Sequence, residues 1–144
     1  MDHVLERYSR GIRELCDALS IPPEFLTERL QDVCHSFGTR TDERGFAAWF
    51  HYLCKSVQRH ISHDWHKYGF FLRKDANGDV TLVCFGVSKP VRHRLEQFLV
   101  AKAWDDVAAE PLALFDLILA GLYTEVDTIV WDLLDIISGL EAVR

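Results

Sequence analysis

Between Ala103 and Val143 the chain carries no lysine, arginine or histidine, although the same 41 residues hold nine carboxylates. A charge distribution of this kind argues against nucleic acid as the ligand, because phosphate binding needs clustered Lys and Arg. Cysteine is scarce and scattered. Cys16, Cys34, Cys54 and Cys84 form no Cys-x-x-Cys pair and each lies in an apolar stretch, which reads as four buried, reduced thiols of an intracellular protein. The first residues lack the apolar core of a secretion signal, and Asp116, Glu125, Asp127, Asp132 and Asp135 interrupt the apolar C-terminal region well short of the ~20 residues of a spanning helix. A soluble, cytoplasmic protein is therefore expected. There is no Gly-x-Ser-x-Gly elbow, no phosphate-cradling glycine loop, no internal repeat and no Gly/Ser/Pro linker.

What is present fits one domain over residues 1–144. The apolar fraction is 49% and the charged fraction 26%, values ordinary for a globular chain, and a domain of this size buries roughly two-thirds of its unfolded surface. The net charge of -6 conceals a division: residues 1–102 hold 13 acids against 15 bases, and the acidic excess lies behind them.

Apolar periodicity predicts an α+β fold that is predominantly helical, with helices at both ends packed around a central β-hairpin or small sheet. Val4, Leu5, Tyr8, Ile12, Leu15, Cys16 and Leu19 mark a first helix. Pro22-Pro23 opens a second, carrying Phe25, Leu26, Leu30, Val33 and Phe37 and ending at Gly38. Phe46, Trp49, Phe50, Leu53, Cys54 and Val57 suggest a third, whose aromatic density leaves a strand open, and the polar run 39–44 is the natural place for a hinge. Two β-prone runs, Tyr68 to Arg73 and Val80 to Phe85, flank an Asn77-Gly78 turn and predict a hairpin. Ser88-Lys89-Pro90 starts another helix, and Glu110-Pro111 starts the long acidic segment, as one helix or as two meeting near Gly121 to Thr124.

That segment, 103–144, carries the clearest functional signal. Leu112, Phe115, Leu119, Leu122, Val126, Ile129, Leu133, Ile136 and Leu140 alternate spacings of three and four, the seam of packed or supercoiled helices. Its acids, Asp116, Glu125, Asp127, Asp132 and Asp135, fall between seam positions and read as a solvated face or as a weak divalent-cation surface of Mg²⁺ type. A second cluster, His60, His63 and His66 with Asp64, offers zinc ligands. On a regular helix, at about 100° per residue, the first and last of these imidazoles would stand about 120° apart around the axis, and the segment reads more readily as a loop leading into the hairpin.

Taken in order, Ile21 to Leu26, Phe37-Gly38, Trp65 to Phe71, Thr81 to Phe85 and Pro111 through Trp131 to Glu141 resemble the soluble N-terminal part of fungal CorA-like proteins, relatives of the CorA-type magnesium channels. The resemblance covers residues 20 to 144. It implies a cytosolic, non-enzymatic α/β domain that assembles around an axis, feeds a stalk helix and responds to Mg²⁺ between acidic subunit faces. The membrane would be met only through a segment not present here, because the sole methionine is Met1 and no Gly-Met-Asn pore signature exists. A stand-alone module whose seam grips a partner helix or a second copy is the alternative, and a zinc enzyme built on the three histidines is the other.

Overall fold

The computed structural model describes residues 2–31, 33–55, 65–101 and 104–142, with side chains from residue 10 onward. The chain divides into two compact units, 1–33 and 34–144.

The first unit is a helical pair, α1 (Asp2–Ala18) and α2 (Pro23–Leu30). The end of α1 is dictated by one residue. Ser20 takes a positive φ of 52°, which lets the Ile21 N–H donate to the Cys16 carbonyl at 2.8 Å and the Ser20 N–H to the Asp17 carbonyl at 3.1 Å. This is the Schellman arrangement, and it satisfies two carbonyls that the helix end would otherwise strand. Pro22 and Pro23 then start α2, where the missing N–H groups cost nothing. The expected run of α2 to Gly38 is not found: α2 ends at Leu30, and Phe37 and Gly38 are strand residues.

The second unit is a four-stranded antiparallel sheet with helices on it. Strands β1 (His35–Asp42), β2 (Gly45–Lys55), β3 (Trp65–Asp75) and β4 (Val80–Phe85) follow one another in the order β1-β2-β3-β4, and α3 (Lys89–Ala101), α4 (Trp104–Ala109) and α5 (Ala113–Glu141) come after. This overturns the expectation of a predominantly helical fold around a central β-hairpin or small sheet, since a four-stranded sheet and the helices share the architecture. The expected third helix is β2. In strand register its Phe46, Ala48, Phe50, Tyr52 and Cys54 point to one face, while Trp49 and His51 are buried on the other. A strand buried on both faces reads as a nearly continuous apolar run, and such a run satisfies helical spacing as easily as period two.

The expected hinge is the β1–β2 hairpin. Asp42 pairs with Gly45, and the Asp42 carboxylate accepts the Arg44 N–H at 2.9 Å. Gly45 is required there, because its φ is 134° and a Cβ would lie 2.1 Å from the Lys74 carbonyl oxygen. The β3–β4 hairpin turns through Asn77-Gly78 as expected, closed by Asp75 N–H to the Asp79 carbonyl at 2.9 Å.

The core of this unit lies between one sheet face and the helices. Ala48, Phe50, Tyr68, Phe70 and Leu72 from the strands meet Val91, Val107, Leu114, Phe115, Ile118 and Leu122 from the helices. Phe70, Leu72, Val91 and Ile118 are fully buried, each side chain contributing about 1.5–3 kcal/mol to the fold. The result is a two-layer sandwich of sheet and helices.

Candidate functional site

Helix α5 is a single element of 29 residues, about 44 Å long at ~1.5 Å per residue. Its first half belongs to the core. Leu114, Phe115, Ile118 and Leu122 recur at helical spacing and are buried, with the Phe115 ring edge-on to Phe50 at 4.9 Å. Gly121 lies against α3: a Cβ here would stand 2.7 Å from Val91 Cα. The absence of a side chain at Gly121 is what lets the two helices pack this closely, and this offsets its low helix propensity.

Glu125 ends the buried half. It continues the core-facing stripe of Leu114, Ile118 and Leu122, and it accepts a hydrogen bond from the Tyr68 hydroxyl at 3.0 Å. Its second oxygen, Oε2, is buried without a hydrogen-bond partner. Burial, reinforced by the Glu125 charge, pushes the Tyr68 phenol well above its usual range and the neighbouring Cys54 thiol up to about 11. Burial alone holds the Cys84 thiol at about 11. Both groups are thiols rather than thiolates at neutral pH, an environment for packing rather than nucleophilic attack.

Beyond Glu125 the helix keeps its apolar residues and loses its cover. Leu119, Tyr123, Val126, Val130, Leu133, Ile137 and Leu140 follow one another at spacings of four and three, a heptad seam along one side of α5. All but Val126 are more than a third exposed, Tyr123 at 73% and Leu140 at 68%. With Tyr123, Val130 and Ile137 as a positions, Ile129 and Ile136 fall at g and Leu134 at e, so the apolar band is wider than a two-residue seam. Glu125, Asp132 and Asp135 fall at c and f, away from the seam, while Asp127 and Glu141 sit at e on its margin.

Beside the proximal end of this seam is an open groove between α5 and β1, the edge strand of the sheet. It has a volume of about 520 Å³ and is lined by Phe37, Phe50, Tyr52, Phe115 and Leu119 together with the polar His35, Ser36 and His51. The His35 and Tyr52 rings meet across β1 and β2 with centroids 5.1 Å apart and planes tilted by 39°. Phe37 is 65% exposed although it pairs with Phe50 in the middle of the strand. An exposed aromatic on an edge strand invites a partner.

The sequence-derived site residues distribute unevenly. Of the expected seam, Phe115 and Leu122 are core residues, Val126, Ile129 and Ile136 are half-buried, and Leu112, Leu119, Leu133 and Leu140 are exposed. Tyr123, Val130 and Ile137 were missed, because the same helix supports two heptad frames one residue step apart and sequence alone does not tell which one the core consumes. Of the five acids, Asp116, Asp127, Asp132 and Asp135 are exposed, whereas Glu125 is held by Tyr68. From Asp116 to Asp135 the helix advances roughly 28 Å, too far for one ion to collect them. Among the described residues no group of three or more His, Cys, Asp or Glu is arranged to hold a metal ion. His60 and His63 lie outside the described residues; His66 is on β3, stacked on Tyr68 at 6.2 Å and paired across the sheet with Cys54. Among the described residues no helix is long and apolar enough to cross a membrane.

Comparison of the chain with protein-family models, with curated proteins and with solved structures finds no match.

Proposed function

We propose that this chain is a non-enzymatic assembly module that associates with a second copy of itself through the distal half of α5. The observation that carries this reading is the exposed heptad seam from Leu119 to Leu140. Soluble chains rarely leave so continuous an apolar band in water, and such bands mark interaction surfaces. Self-association is favoured over a basic partner helix by the placement of charge. Glu125, Asp132 and Asp135 lie away from the seam and only Asp127 and Glu141 stand on its margin, so two copies can meet without continuous opposing rows of carboxylates. What supports a non-catalytic role is that Cys54 and Cys84 are held as thiols. A CorA-like setting is a special case of the same proposal, with α5 leading toward a stalk and Mg²⁺ meeting its exposed aspartates between subunits. The length of α5 and the four exposed aspartates support it.

Light scattering of the purified chain, beside Val130→Asp and Ile137→Asp, tests the proposal. The parent chain is expected to be an oligomer at micromolar concentration, and both variants monomers with an unchanged melting transition of the sheet core. A monomeric parent chain, or variants that assemble as before, would refute it.

A further inference from the structure

Three features meet at the groove between β1 and α5. Its side chains are mostly aromatic: Phe37 stands exposed at the rim, Phe50 and Phe115 meet edge to face at 4.9 Å, and Tyr52 follows along β2. Ser36 and His51 border it from paired strand positions that alternate to the other sheet face. Its fixed charge is of one sign. Among the described residues no lysine or arginine lines it, and the exposed Asp116 is the helical neighbour of Leu119 on its wall. A second carboxylate is felt at Tyr52: burial, then Cys54 and then the Glu125 charge push that phenol above its ordinary range. The third feature is an open backbone edge. Strand β1 ends the order β1-β2-β3-β4, and its His35, Phe37 and Thr39 to Asp42 are exposed, so its outward N–H and C=O groups are placed to accept another strand.

We infer that this groove binds an extended peptide, which adds to β1 as a fifth strand and lays the quaternary ammonium of a methylated lysine on Phe37 and Tyr52 above Phe50. The site is separate from the self-association proposed above, which uses the distal half of α5. Aromatic faces attract a cation held within about 6 Å of the ring centroid. Asp116 and Glu125 add to that attraction and would repel an acidic ligand. Methylation follows from the supply of acceptors. An unmodified lysine brings three N–H donors, and the polar side chains facing the groove are the His35 imidazole and the Tyr52 hydroxyl. Seating a bare ammonium there would strand donors, whereas a trimethylammonium has none to satisfy and presents methyl groups to the rings. The open edge favours a peptide over a small free cation, because main-chain pairing supplies affinity and alternate side chains then fall toward the groove.

Fluorescence anisotropy at pH 8 tests this with labelled peptides of alternating threonine and valine around one central residue. That residue is trimethyllysine, unmodified lysine, or the neutral isostere in which carbon replaces the ammonium nitrogen. The trimethyllysine peptide is expected to bind, and the other two at least about tenfold more weakly. Phe37→Ala is expected to weaken the trimethyllysine peptide about tenfold. Asp116→Asn, also at an exposed position, is expected to weaken it about threefold. Equal affinity for the neutral isostere would overturn the cation, and equal affinity for unmodified lysine would overturn the methylation. Choline binding as tightly as the peptide would overturn the added strand. A trimethyllysine peptide that does not bind at millimolar concentration, or binds Phe37→Ala as before, would overturn the inference entirely.

Discussion

The hydroxyl of Tyr68 reaches Glu125 from β3, joining residues 57 apart in the chain, and this hydrogen bond ties α5 to the sheet at the end of its buried half. Tyr68→Phe would leave the Glu125 carboxylate in the same half-buried place with its donor gone. A loss of about 1–3 kcal/mol is expected, measured by urea unfolding. Glu125→Leu in the Tyr68→Phe background is expected to restore most of it, since replacing both partners by apolar groups removes the unsatisfied charge. The two raised thiols make a second prediction. Cys54 and Cys84 keep their protons in the fold to about pH 11, whereas in the unfolded chain they lose them near 9.0. The unfolded state therefore binds fewer protons in that interval, so the stability present below pH ~9 falls as pH rises toward ~11, by on the order of 1 kcal/mol per group. Cys54→Ala is expected to flatten this alkaline decline in a series of unfolding curves. None of this was legible in the sequence: Glu125 looked like one acid among nine, and only its place on the stripe of Leu114, Ile118 and Leu122 separates it from its solvated neighbours.

At the scale of elements, the turn chemistry was readable and the pairing was not. Asn77-Gly78 announces its hairpin because a tight turn demands positive φ from those residue types, and Pro90 announces α3 because proline suits a first helical turn. Strand β2 escaped because Phe46, Trp49, Phe50, Leu53 and Cys54 meet helical spacing by accident of being buried from both sides. Strand β1 escaped because its Thr39 to Asp42 portion is polar and exposed, as edge strands often are, and so resembled a hinge. Gly45 was the available signal, a glycine just after a polar pair with β-prone runs on either side. Gly45→Ala must strain the backbone and collide with the Lys74 carbonyl. It is expected to cost about 1–3 kcal/mol in chemical denaturation, an outcome that a flexible hinge at 39–44 would not produce.

At the scale of the whole molecule, the division of charge bears on the proposed self-association. Each chain brings a net charge of -6, with the acidic excess on α5, and the proposed contact between copies is apolar. Added salt screens the repulsion between chains and leaves apolar burial in place. Assembly is therefore expected to tighten between about 0.05 and about 0.5 M NaCl, followed by sedimentation equilibrium; an interface built on ion pairs would loosen instead. The sequence did disclose that the C-terminal segment carries a long apolar repeat. It could not disclose which heptad frame faces outward, because that depends on the sheet, and the sheet was the part least visible in it.

The uncovered half of α5 has a further consequence. Its turns beyond Glu125 carry large apolar side chains and draw little packing from their own chain, and isolated helical segments of that length are marginal in water. Under the self-association proposed above, their helicity is coupled to occupancy by mass action. Dilution should unwind those turns while the sheet stays intact, and concentration should rewind them. On the proposed self-association, the distal helix would act as a gauge of how much of the protein is nearby, read out as folded length rather than as chemistry.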